Sequence, residues 1–224
     1  EPAMIYSKDY GSPQNRPRMF LIGLHRDLGI EQDIYSPKVA SGFLPEPSLD
    51  YPHIEELIGD LVDDSYENGG ETLKYPKPAT NKIQRYFRKN NKTGKVKPKG
   101  ASVTEHKYSK HSAPVIQKFQ YMIENNGKIP DSKKTKKFAQ RLLPRRWGSN
   151  GPSITVTSLP DDFVHYQQPR ALSVREWARL QMFPDWYEFA GTRTTGGIRR
   201  AGNPEVGNFE RDLPRYTQIG NAVP

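Results

Sequence analysis

The sequence predicts an α/β chain in which a few short strands and one well-marked helix frame a long, irregular, basic middle section. Three observations carry this. Residues 19–24, MFLIGL, form a continuous apolar run of the kind found in buried strands. Residues 173–183 carry helix punctuation at both ends: Ser173 is followed three residues later by Glu176, and Pro184 closes the segment. Finally, 18 Gly and 20 Pro accompany only 34% hydrophobic residues and a mean hydropathy of -0.85, which implies many turns rather than one tightly packed domain.

The 224 residues suffice for one large or two small domains with a core. No apolar run approaches the roughly 20 residues that span a bilayer, and no signal-peptide pattern opens the chain. A soluble, intracellular protein with no membrane association is therefore expected. The sequence contains no cysteine, which excludes disulfides, a cysteine nucleophile and a thiolate metal site within it; no metal ligand set is assigned. The formal charge of +9 is unevenly distributed. Residues 74–146 hold 21 Lys or Arg against 3 acids, so the remainder is acidic overall. Such segregation is costly in a compact state unless a polyanion is bound, and it points to nucleic acid rather than a merely solvated insert.

Taken in order, residues 3–8 alternate weakly as a short strand, residues 9–17 form a Gly- and Pro-containing turn, and the apolar run follows. Gln14, Asn15, Arg16 and Arg18 lie between the two strands, where the arginines either floor a pocket or form a surface pair. Residues 53–62 predict a helix with Ile54, Leu57, Ile58 and Leu61 on one face. Residues 80–89 predict a short amphipathic helix, residues 90–102 a mobile Lys-, Gly- and Pro-rich loop, and residues 112–125 a helix capped by Ser112 with Pro114 in its first turn. The second basic cluster, with Arg141, Arg145 and Arg146 ahead of Trp147, is suited to neutralising phosphates. PSITVTS at residues 152–158 predicts a strand whose Thr155 and Thr157 either contact base edges or line a sheet. In the helix that starts at Ser173, Val174, Trp177, Ala178 and Gln181 recur at helical spacing, while Arg175, Arg179 and Met182 point elsewhere. The Gly- and Arg-rich residues 191–208, with Arg199 and Arg200, form a phosphate-contacting loop or a flexible connection. Asn221 and Pro224 read as the start of a further helix.

Three of these stretches resemble motifs of the C5-cytosine DNA methyltransferases. YGSPQNRPRMFLIG at residues 10–23 is similar to motif VIII, PRALSVREWARLQMFPD from Pro169 to motif IX, and QIGNAVP at residues 218–224 to motif X. The resemblance implies the closing part of a class I S-adenosylmethionine-dependent methyltransferase (Rossmann-like) domain plus a smaller, mixed, irregular target-recognition domain. Residues 1–26 and 169–224 would belong to the catalytic side and residues 27–168 to target recognition. Arg18 would stand beside O2 of a flipped cytosine, with Arg16 supporting it. Gln14, Arg141, Arg145, Arg146, Thr155, Thr157, Arg199 and Arg200 would face double-stranded DNA. Asn221, Ala222 and Val223 would border S-adenosylmethionine, Ala222 standing where many relatives have Ser.

The family's cofactor loop and Pro-Cys nucleophile precede motif VIII and are absent here. The resemblance therefore implies a partner, an N-terminal methyltransferase portion that carries the cysteine, in a bacterial, cytoplasmic restriction-modification setting. A non-catalytic DNA-binding module and an RNA cytosine-5 methyltransferase are the rival readings; the intact Gln14, Arg16 and Arg18 favour the enzyme.

Overall fold

The computed structural model describes residues 4–20, 25–29, 47–48, 50–133, 140–194, 204–207 and 213–224. They fall into two compact units: Glu1–Pro52 with Trp147–Thr155, and His53–Arg146 with Val156–Pro224. Residues 169–224 share the second unit with residues 53–146.

In the first unit, β1 (Ile5–Tyr6) pairs antiparallel with β2 (Pro17–Arg18), Ile5 opposite Arg18 and Tyr6 opposite Pro17. Proline lacks a ladder donor and is tolerated at the first position of such a strand. Ser7 closes the intervening loop. Its N–H donates to the Arg16 carbonyl at 3.1 Å, its hydroxyl donates to the Gln14 carbonyl at 2.8 Å, and the same oxygen accepts from the Arg16 N–H at 3.1 Å. The loop therefore has fixed backbone geometry although its strands are two residues long. The expected strand at residues 19–24 departs from this structure at its start: β2 ends at Arg18, and Met19 is 72% exposed. Burial of an apolar strand requires covering layers, and Met19 and Phe20 instead remain exposed, at 72% and 46%. Residues 21–24 lie outside the described residues.

The second unit is helical. Helix α1 (Ile54–Ile58) runs into a 3-10 turn at Gly59–Leu61, and its predicted face of Ile54, Leu57, Ile58 and Leu61 is fully buried. Helix α2 (Lys82–Arg88) is capped by the Asn81 carboxamide oxygen, which accepts from the Gln84 N–H at 2.9 Å. Helix α3 (Ala113–Glu124) has Pro114 in its first turn and buries Phe119 and Met122 against Val164, although the Ser112 side chain makes no capping bond. Two further two-residue strands, β3 (Arg141–Leu142) and β4 (Phe163–Val164), pair in parallel. Helix α4 (Val174–Leu180) packs on α1 and on α5 (Arg215–Asn221).

Three sequence expectations are corrected by this architecture. Residues 152–158 form no strand; their carbonyls instead receive single donors, Asn15 N–H at Ile154 in the first unit and Trp177 Nε1 at Thr157 in the second. The segment expected to be a mobile loop, residues 90–102, is held by backbone hydrogen bonds, with bridges Lys89–Val96 and Lys74–Ser102. Asn221 ends a helix instead of starting one, because Gly220 fits α5 against the backbone of Thr157 and Ser158, where any Cβ would collide.

Candidate functional site

The motif VIII loop brings Gln14, Arg16 and Arg18 together. Gln14 is fully buried, Arg16 nearly so, and Arg18 half-buried with Nη1 donating to the Pro17 carbonyl at 2.8 Å. Burial, then the neighbouring Arg18 charge, pushes Arg16 below the usual arginine range. The two guanidiniums, from residues two apart in this loop, carry like charge and are felt by one another.

Helix α4 is built as predicted at its start. The Ser173 hydroxyl accepts from the Glu176 N–H at 3.2 Å and the Glu176 carboxylate accepts from the Ser173 N–H at 2.8 Å. Its end differs in mechanism: Met182 adopts φ 65, Met182 N–H reaches Arg179 and Phe183 N–H returns to Ala178, so a left-handed cap stops the helix ahead of Pro184.

The charged side of α4 is not a solvent face, and all seven of its residues are buried. Arg170 forms a two-pronged pair with Glu176, both contacts 2.7 Å. Burial opposes the Glu176 charge, but Arg170 outweighs it and holds that carboxyl far below the usual range. Arg179 Nε and Nη2 bind the Asp185 carboxylate at 2.9 and 2.6 Å, while Nη1 reaches the Leu57 carbonyl at 2.7 Å and the Asp60 carboxylate. Asp60 also holds Arg88, at 2.7 Å from Nε, and Asp185 accepts from the Tyr75 hydroxyl at 2.7 Å. Arg175 uses the Thr104 carbonyl and hydroxyl and the carbonyls of Pro184 and Tyr187. Buried charges persist only with such compensation, so these arginines tie α4 to α1, α2 and the segment around Thr104.

His106, also fully buried, joins this assembly: Nε2 donates to the Leu61 carbonyl at 2.8 Å, which leaves Nδ1 to accept from the Ser173 hydroxyl at 2.8 Å. The sequence offers no local signal for Asp60 or His106, because their partners lie far away in the chain; Asp185 meets Arg179 within the same motif but the Tyr75 hydroxyl from a distant segment.

Motif X sits on motif IX. The Gln181 carboxamide donates to the Ala222 carbonyl, and the Tyr216 hydroxyl donates to the Leu172 carbonyl at 2.7 Å. The Ala222 N–H bonds to Ile219, so both backbone groups of Ala222 are engaged. Asn221 and Val223 remain exposed. For a bound cofactor these residues would supply an exposed carboxamide and an apolar edge.

The basic candidates separate by environment. Arg145 and Arg146 share the single carboxylate of Glu55, and Arg141 lies over the Phe163 ring at 4.6 Å. Thr155 donates its hydroxyl to the Asn15 carbonyl at 2.9 Å, and Thr157 donates to the Asp162 carboxylate at 2.6 Å. Both threonines thus hold the fold locally. Arg199 and Arg200 lie outside the described residues. A cavity of about 630 Å³ is lined by Glu55, Glu56, Lys77, Gln84, Arg145 and Tyr166, Arg145 alone of these being a residue expected from the sequence to face DNA.

The fold itself is that of an α/β methyltransferase. A solved E. coli structure, described as a "putative DNA modification methyltransferase encoded within prophage", covers the whole chain at TM-score 0.60 and 18% identity, with 55% of that protein matched. The family model for C-5 cytosine-specific DNA methylase matches residues 1–224, and the chain belongs to that family. The type II methyltransferase M.DdeI of Desulfomicrobium norvegicum is 31% identical over 96% of this chain and 49% of its own length. M.AquIB of Picosynechococcus, also a type II methyltransferase, is 34% identical over 56% of this chain and 82% of its own length. M.BspRI of Lysinibacillus sphaericus is 28% identical, with 40% of its length matched. The chain thus spans about half the length of M.DdeI and less of M.BspRI.

Proposed function

We propose that this chain is the C-terminal, target-recognising portion of a DNA (cytosine-5-)-methyltransferase, which transfers a methyl group from S-adenosylmethionine to C5 of a flipped cytosine in duplex DNA. Residues 1–26 and 169–224 serve the catalytic side and residues 27–168 serve recognition. A separate N-terminal portion, as another subunit or as preceding residues of the same chain, supplies the cysteine that this sequence lacks. The type II relatives support a bacterial restriction-modification setting, and no helix among the described residues is long and apolar enough to cross a membrane.

The observation that carries the reading is Arg18 at the end of a loop whose backbone is fixed by Ser7. Addition of the partner's cysteine to C6 pushes an electron pair onto the ring and its O2. A guanidinium beside O2 is worth more to that charge than to neutral cytosine, so it lowers the barrier instead of merely tightening binding. A lysine in place of Arg18 would present a point charge without the planar fork. Arg16, buried further into the loop, supports it and adds to the potential. S-Adenosylmethionine, when bound, supplies the methyl group; Asn221 and Val223 would border it.

Reconstitution tests the reading. The chain is combined with an N-terminal methyltransferase portion, duplex DNA and methyl-labelled S-adenosylmethionine. Label on cytosine C5 is expected only when both portions are present, and its absence, with DNA binding retained, would make the chain a binding module.

A further inference from the structure

We propose that the hairpin at residues 89–96, with Lys97 and Lys99 beyond it, is the element that grips the phosphate backbone of duplex DNA. The inference rests on the DNA-methyltransferase reading and locates the grip away from the arginine cluster at residues 141–146, where the sequence places it. Residues 82–104 hold eight Lys or Arg and no acid. One of the eight, Arg88, is buried in its pair with Asp60. Lys82, Arg85, Lys89, Lys92, Lys95 and Lys99 are exposed, Lys97 is half-buried, and among the described residues none of these seven is ion-paired. Like charges gathered without counter-charges raise the energy of the free protein and are relieved by a polyanion. Arg145 and Arg146, by contrast, already share Glu55.

The lysines are also held in place. The Asn90 carboxamide oxygen accepts from the N–H groups of Lys92 and Thr93, both at 2.9 Å, and the Asn90 N–H donates to the Lys95 carbonyl at 2.8 Å. The Gly94 N–H returns to the Asn90 carbonyl at 2.9 Å, with Gly94 in the left-handed region at φ 68. Lys89 and Val96 pair across the arms, and the Lys97 N–H donates to the carbonyl of Arg88 at 3.1 Å. Because Arg88 is locked by Asp60, the hairpin base is fastened to the buried ion network. Presenting charge on an ordered turn lowers the ordering cost of binding. An ammonium is a point charge with rotatable donors, suited to phosphate oxygens and poorly suited to reading base edges. The grip is therefore independent of sequence, and base recognition falls to other residues.

The experiment measures binding of this chain to a labelled duplex DNA by fluorescence anisotropy across a salt series. Each lost phosphate contact flattens the slope of log K against log salt by about 0.9. K92Q/K95Q/K99Q should flatten it by about 2 to 3 at unchanged thermal midpoint, whereas R145Q/R146Q should change it by less than about 1. A wild-type slope in the lysine variant, or a larger loss in the arginine variant, overturns the assignment. Wild-type chain that binds no duplex DNA would remove the underlying reading, and preference for an RNA duplex of equal length would replace the DNA by RNA; both overturn the proposal, at different levels.

Discussion

Replacing Arg179 by Gln should destabilise the second unit by about 3 kcal/mol, because it strips a shared guanidinium from two buried carboxylates. Removing one partner of a buried ion pair typically costs about 3 to 5 kcal/mol. The lower end applies here: Asp60 keeps Arg88 at 2.7 Å, and Asp185 keeps the Tyr75 hydroxyl at 2.7 Å and Arg175 at 3.8 Å. A cross-check comes from Asp185 itself. Burial favours its neutral form, yet Arg179 and then Arg175 hold its carboxyl at about 2. Against an unfolded value near 3.9, that depression stabilises the fold by roughly 2 to 3 kcal/mol. The contribution is present above about pH 4 and is lost as pH falls toward about 2. At about 2 to 4 °C per kcal/mol for a domain of this size, the thermal midpoint should drop by about 6 to 12 °C. Circular dichroism melts, together with urea titrations at neutral pH, make the measurement. Arg179→Lys should recover little, since three donors on one nitrogen cannot replace a fork that reaches Asp60, Asp185 and Leu57 together. A loss under about 1 kcal/mol, or intact stability with a selective loss of methyl transfer, would refute the assignment of Arg179 to the structural network.

Two further consequences concern the same unit. His165 is buried with Nδ1 accepting from the N–H groups of Gln167 and Gln168, and burial followed by the Arg170 charge lowers its pKa to about 3. Its neutral form therefore adds stability that is complete above about pH 6.5 and falls away as pH drops toward about 3; His165→Asn, whose oxygen can accept both bonds, should flatten urea midpoints across that interval. Gly220→Ala places a methyl group into the Thr157 backbone and should lower stability by about 1 to 3 kcal/mol, seen as a reduced urea midpoint; an unchanged midpoint would mean that α5 does not rest on Thr157.

What is legible in the sequence is local. The Ser173–Glu176 cap and the apolar face of α1 rest on residues three and four apart, and both are present. The fate of the arginines in motif IX is not legible, because Asp60 lies 119 residues from Arg179 and nothing in the local pattern distinguishes a solvated arginine from one buried on a distant carboxylate. The same holds for α5: the sequence reads Asn221 as a helix start, and the close approach of Gly220 to the distant Thr157 backbone emerges only in the fold. Composition alone makes the lysine loop mobile, whereas Asn90 and Gly94 supply the turn chemistry that orders it. Thr155 and Thr157 are open to base contact in the sequence because β-branched hydroxyls suit either role. Their acceptors, Asn15 and Asp162, engage the hydroxyls within each unit.

The claim that Arg18 acts on the reacting base is tested most directly by single-turnover methyl transfer with the reconstituted enzyme. Arg18→Ala should slow the chemical step by about 100-fold or more, in the range for removing one preorganised donor to a developing anion, while the Kd for duplex DNA changes little. Arg18→Lys should recover only part of the rate. Near-normal turnover in Arg18→Ala, or a loss explained entirely by weaker DNA binding, would contradict the role given to this residue.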